Sequence, residues 1–279
     1  MLKREEIRIR DPFIWTDHAQ GIYYMYGTTA LLDNTFHTKA SFSVYITKDL
    51  ENFDGPFVIF DGSSCDFWGT QDFWAPELHF YNGKYYLFAS CRSETQKKAT
   101  QIFVADSPMG PFVPVSPEPA TPREWACIDG TLWVENGTPY IVFCHEWSQI
   151  KNGEICARQL SDDLSTPIGD PVTLFAAHDN PFVTEHDYEG SGNYVTDGPF
   201  LFREGDKLKM IWSSFYNRRY LVLEAEADSL LGEWRHHGSR FDFDGGHAMI
   251  FENLEGKKMI SLHRPNSIMH ERACFLPFN

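Results

Sequence analysis

Five short segments of this chain begin alike, with a carboxylate or a histidine beside a small residue or proline and an apolar run after it. They are DPFIW from Asp11, PELHF from Pro76 with Glu77, DGTLWV from Asp129, DGPFLF from Asp197 and GHAMIF from Gly246 with His247. Four acids gathered round a narrow space repel one another, which raises the pKa of some and leaves others ionised. A protonated carboxyl can then deliver a proton while an ionised one accepts, the pairing from which general acid–base catalysis is made. Tryptophans at 68, 74, 125 and 147 lie close to these segments in sequence and supply flat apolar faces of the kind sugar rings stack on. Together these residues suggest a carbohydrate pocket.

Such a pocket needs elements that bring distant segments to one place, and the pattern around each acid supplies them. Each opening segment is followed by a second, strongly apolar run: GIYYMYGTT, GKYYLFASC, TPYIVFCHE, KLKMIWSSF and KKMISLH. A third follows in turn: SFSVYITK, TQIFVADS, GEICARQL, YLVLEAEA and ERACFLPF. Fourth runs stand at FVIF (57–60), FVPV (112–115) and VTLF (172–175), with a weaker one around Trp234. Short runs rich in Val, Ile, Phe and Tyr between Gly, Asp, Asn and Pro clusters read as strands, and no long stretch keeps helical periodicity. The fold class is all-β. The acids recur 50 to 68 residues apart, and four-stranded units at such a period predict a β-propeller, here with five blades in one domain spanning residues 1–279. The fifth repeat ends after its third strand, so EEIRIR near the N-terminus is expected to pair there and close the ring. Two β-sandwiches would need a linker, and no Pro/Gly/Ser-rich or charge-run linker is present.

Successive strands of a blade run antiparallel, so first-strand starts, second-strand ends and blade-to-blade connections share one face. That face collects the acids and His247 with His145, Glu146, Trp147, His263 and Arg264 from second-strand ends. Connections add Asp66, Trp68, Asp72, Trp74, Arg123, Trp125 and Glu189. Of these, Trp74, Glu77, Trp125, His145 and Arg264 are the candidate sugar contacts.

Composition narrows the partners. The 279 residues carry a formal net charge of −15, which would repel a nucleic-acid backbone or an anionic lipid surface. No apolar run is long enough to span a bilayer, and MLKREEIRIRDP has no apolar export core, so the expectation is a cytoplasmic protein with a carbohydrate partner. Its oligomeric state is not legible. The six cysteines have no CxxC spacing, and Cys91, Cys127, Cys144, Cys156 and Cys274, in or beside apolar runs, read as small core or near-core residues, not as disulfides or a zinc site.

At these residues the chain resembles glycoside hydrolase family 43, five-bladed propeller enzymes acting on arabinose-, xylose- and related sugar-containing glycosides. Arg10-Asp11-Pro12 before FIW matches the first-blade motif, whose Asp is the general base, and Trp74-Ala75-Pro76-Glu77 matches the second-blade motif. Ile128-Asp129-Gly130 matches the site of the Asp that orients the acid and tunes its pKa. Thr196-Asp197-Gly198-Pro199 stands where the family has Glu-Gly-Pro with Glu as general acid, and Gly246-His247 matches a fifth-blade His near a central metal or water. The resemblance implies an exo-acting hydrolase that inverts the anomeric carbon and releases terminal arabinofuranosyl, xylosyl or related residues. Asp197 is one methylene shorter than Glu, so three acids compete for the proton-donor role: Asp197, Glu146 in CHEW, and Glu189 in YEGSG. His247 is either a hydrogen-bonded core histidine or a ligand, direct or through water, of a central ion such as calcium. A sugar-binding propeller that has lost its acid is the non-enzymatic rival. A protein-binding scaffold is a third reading, and it leaves the acids and tryptophans without a role.

Overall fold

The computed structural model describes residues 1–29 and 38–278. Its strands form five antiparallel sheets, each covering one of the predicted repeats in sequence order. Blade 1 holds Arg10–Asp17, Ile22–Thr28, Ser41–Thr47 and Asn52–Asp61; blade 2 holds Gln71–Tyr81, Lys84–Arg92, Ala99–Ala105 and Val113–Pro114. Blade 3 holds Cys127–Glu135, Thr138–His145, Glu154–Leu160 and Pro167–Ala176. Blade 4 holds Asp197–Glu204, Lys207–Tyr216, Arg219–Ala227 and Arg235–Ser239, and blade 5 has Gly246–Glu252, Lys258–Arg264 and Arg272–Pro277. The fold class is the predicted one, an all-β five-bladed propeller.

The strands differ in burial according to their place in the blade. Second strands such as IYYMYGT are buried on both faces because neighbouring blades stack on them, whereas the outer strand PIGDPVTLFA is largely exposed. The apolar core therefore lies between blades. Ile128, Val142 and Phe175 of blade 3 meet Met210, Trp212 and Leu223 of blade 4, and Phe88 and Ile102 of blade 2 meet Ile141 and Phe143 of blade 3.

Ring closure departs from the expectation. Leu2–Lys3 pairs with Asn52 and Phe53 on the outer strand of blade 1, not with blade 5. Arg4–Glu6 forms a short 3-10 turn whose Glu5 carbonyl accepts from the Arg272 guanidinium (2.6 Å), and beyond it the Ile9 N–H donates to the Glu271 carbonyl (3.4 Å) while Arg8 and Arg10 pair with the Glu271 carboxylate. The reason is burial: Ile7 and Ile9 turn inward to the core shared by blades 1, 2 and 5. Gly27 makes room there, since a Cβ on it would stand 2.6 Å from the Ile9 side chain. The ring is instead closed by side chains, with the Ser261 hydroxyl donating to the Pro12 carbonyl and Thr16 to the Glu252 carbonyl.

All six cysteines are free; four are buried, Cys274 is half-buried and Cys65 is exposed. Among the described residues no helix is long and apolar enough to cross a membrane.

Candidate active site

Each inner strand carries a bulge near its start. Arg10 pairs with Thr28 and Phe13 with Tyr26, so two residues, Asp11 and Pro12, bulge between them. The same offset separates Trp74 from Glu77, Ile128 from Thr131, Asp197 from Phe200 and Gly246 from Met249. The first bulged residue has a left-handed backbone in every blade: Asp11 at φ +54°, Ala75 at +44°, Asp129 at +56°, Gly198 at +51° and His247 at +51°. Bulges re-aim side chains out of the pleat, and here they turn them across the channel mouth. This register corrects the equivalence read from the sequence. Asp11, Asp129 and His247 do share one position, but Asp197 stands one residue before it and Glu77 two residues after it.

The mouth holds a cavity of about 220 Å³ lined by Arg10, Asp11, Thr28, Trp74, Lys98, Ile128, Asp129, Glu146, Trp147, Asp197, Tyr220 and His247. Six candidate site residues therefore meet: Asp11, Asp129, Asp197, Glu146, Trp74 and His247. Five do not line it. Glu77 lies buried with one carboxylate oxygen 3.4 Å from Nε2 of His79. The ring of His145 stacks on Trp125 with centroids 4.2 Å apart, and Trp125 faces a separate groove with Pro122 and Arg158. Arg264 is exposed and lies over the Phe243 ring at 4.2 Å. Glu189 is also exposed, in a loop groove with Tyr188 and Arg218. Conversely, Lys98 and Tyr220 were missed, although each stands at the start of a third strand, which must begin on the same face as the second strand ends. Arg10 and Thr28 flank the Asp11 bulge and were not singled out.

Asp11 is surrounded by donors. Its Oδ2 accepts from the Thr28 hydroxyl at 2.6 Å, and its Oδ1 lies 3.1 Å from Nδ1 of His247. The Asp11 N–H donates to Nδ1 of His263 (3.2 Å), whose Nε2 faces Asn266 Oδ1 at 3.2 Å. Nδ1 of His263 also lies 3.3 Å from Asp11 Oδ1, but one ring nitrogen cannot accept from the amide and donate to the carboxylate together. We assign His263 as the neutral Nε2–H tautomer, because burial and the Arg10 charge depress its pKa. Burial opposes ionisation of Asp11, yet the charges of His247 and Arg10 outweigh it and hold the carboxyl below the usual range. Burial would also discharge His247, but Asp11 and Asp129 reverse that and raise its pKa.

Asp197 lies in the opposite environment. Burial and the neighbouring Asp129 charge push its pKa well up, only partly countered by His247 and by the Tyr220 hydroxyl, which donates to Oδ2 at 3.0 Å. Asp129 is raised too, by burial and by repulsion from Asp11, while the Gly198 N–H donates to its Oδ2 at 3.0 Å. One cavity thus presents an ionised carboxylate and a protonated carboxyl. Glu146 accepts from Lys98 Nζ at 2.7 Å through one oxygen and from the Ser148 hydroxyl at 2.8 Å through the other. Lys98 also sits over the Trp74 ring at 4.6 Å, tying that wall together.

Nδ1 of His247 lies 3.1 Å from Asp11 Oδ1 and 3.8 Å from Asp129 Oδ2, and among the described residues no three His, Cys, Asp or Glu side chains gather as a direct metal site.

Fold and site define a class: five-bladed propellers with carboxylates of opposed protonation at one channel mouth. Residues 6–276 match the family described as glycosyl hydrolases family 43, and the chain belongs to that family. It is similar to the solved structure titled endo-arabinase from Bacteroides thetaiotaomicron, with 39% identity and a TM-score of 0.90 over 100% of this chain and 97% of that one. A probable arabinan endo-1,5-alpha-L-arabinosidase A of Aspergillus fumigatus is 21% identical over 74% of this chain and 58% of its own length. An extracellular exo-alpha-(1->5)-L-arabinofuranosidase of Streptomyces avermitilis is 24% identical over 73% of this chain and 40% of its own. The aligned region thus spans less than two thirds of either curated relative.

Proposed function

We propose that the protein is an inverting, exo-acting glycoside hydrolase that releases terminal arabinofuranosyl, xylosyl or related residues, with α-1,5-linked arabinofuranosides first among the substrates to test. The observation that carries the reading is the meeting of Asp11, Asp129 and Asp197 in one cavity, where His247 and Arg10 lower the pKa of Asp11 while burial and the Asp129 charge raise that of Asp197. Asp11, held ionised, takes a proton from water as that water attacks the anomeric carbon. Asp197, held protonated, delivers its proton to the leaving oxygen, and Asp129 keeps the charge beside it that raises its pKa. Trp74 and Trp147 offer ring faces to the sugar, and the Lys98–Glu146 pair offers a donor and an acceptor to adjacent hydroxyls. A volume of about 220 Å³ falls below the roughly 300 to 1,000 Å³ of pockets that enclose a drug-sized ligand, which favours one terminal residue over a chain threaded through.

The test is a panel of 4-nitrophenyl furanosides and pyranosides followed by NMR of the first-formed sugar. Release of 4-nitrophenolate with an inverted anomer is expected; binding of sugar without release of any aglycone would support the non-catalytic rival. Internal cleavage is the second reading, favoured by the name of the 39%-identical structure. Linear arabino-oligosaccharides separate the two, since exo action yields monosaccharide from the first turnover and internal cleavage yields shorter oligomers.

A further inference from the structure

The five bulges are tied to one another by a repeated bond with one exception. In each blade the amide of the left-handed residue can donate to the preceding blade's second strand, at the residue paired with the start of that blade's own bulge. The Asp11 N–H donates to Nδ1 of His263, the Ala75 N–H to Thr28 Oγ1 (2.8 Å), the Asp129 N–H to Ser90 Oγ (2.9 Å) and the His247 N–H to Ser213 Oγ (2.8 Å). At the joint between blades 3 and 4 the register puts Cys144 in that place, opposite Ile128. There the Gly198 N–H donates to the Asp129 carboxylate instead.

The exception has a chemical cause. A thiol is a weak acceptor, while a carboxylate accepts strongly. The thiol at this joint gives the Gly198 amide no hydroxyl or imidazole to bond, and the amide turns to Asp129 Oδ2 at 3.0 Å. A side chain at residue 198 is excluded by the His247 ring, 2.8 Å from where a Cβ would stand, although the other four blades carry side chains at this left-handed position. We propose that Cys144 is a positioning residue: by withholding the acceptor that the other four joints supply, it directs the Gly198 N–H onto Asp129 and fixes that carboxylate beside Asp197. This rests on the hydrolase reading for its kinetic consequence, though not for its structural one.

Cys144→Ser restores a hydroxyl at the joint and tests the idea. The expected result is that kcat on oligosaccharides falls about tenfold further in Cys144→Ser than in Cys144→Ala, with KM changed less than about twofold between them. Alanine leaves a small void but offers no acceptor. The amide resonance of Gly198 in 15N-labelled protein gives a readout independent of turnover. It should move upfield in Cys144→Ser, as a carboxylate partner is exchanged for a hydroxyl, and should stay near its wild-type position in Cys144→Ala. Equal kcat losses in the two variants, or a Gly198 resonance unmoved by serine, would overturn the proposal. Failure of the wild-type protein to hydrolyse any glycoside, with the resonance shift present, would overturn the hydrolase reading alone.

Discussion

Asp11 and Asp197 are the same residue type at the starts of two inner strands, one residue apart in register, and they end in opposite protonation states. Asp11 sits on the left-handed position of its bulge, where Thr28 and His247 reach its carboxylate oxygens. Asp197 precedes that position and meets the charge of Asp129 and a single hydroxyl, that of Tyr220. The lesson is that the bulge register, not the residue type, sets the environments of these two carboxyls apart. Under the proposed reading an aspartate at position 197 can serve as the acid, because burial and the Asp129 charge raise its pKa.

The harshest way to break this contrast is to remove the acceptor. Asp11→Asn is expected to fold and bind sugar but to lower kcat at least about a hundredfold on every substrate, since an amide cannot take the proton of water. Steady-state rates near wild type would end the role of Asp11. Asp197→Asn should be nearly as damaging on oligosaccharides yet mild on 4-nitrophenyl glycosides, whose leaving group departs without a proton. Equal losses on both substrate types would take the acid role from Asp197. Glu146→Gln keeps the shape of the wall but weakens the tie to Lys98, so both substrate types should slow together by less than about tenfold, with KM affected as much as kcat. The smallest effect is expected from metal: chelator treatment followed by calcium addition should change kcat less than about twofold, and a larger response would restore His247 as a ligand.

Much of the fold was legible because strand periodicity and the recurring acids are local properties. The closure was not, because it depends on Ile7 and Ile9 finding the inter-blade core, a tertiary choice that overrides strand pairing. In the site, Asp11, Asp129 and His247 were aligned correctly, whereas Asp197 was misplaced by one residue because an inserted left-handed residue leaves no mark on an alignment of short motifs. Trp125 and His145 lie near the correct face but satisfy each other by stacking. Lys98 and Tyr220 could have been found by extending the antiparallel argument to third-strand starts.

The opposed protonation of Asp11 and Asp197 is tested most directly by the pH dependence of kcat/KM in wild type, and of the residual rates of the two asparagine variants, on one oligosaccharide whose leaving group needs a proton. Activity requires Asp11 ionised, so it should rise through a pKa below the usual carboxylate range; it requires Asp197 protonated, so it should fall through a pKa raised well above that range. Asp197→Asn should abolish the alkaline fall while leaving the acid limb, and the residual rate of Asp11→Asn should lose the acid limb alone. An alkaline limb that persists in Asp197→Asn, or limbs that exchange between the two variants, would contradict the assignment.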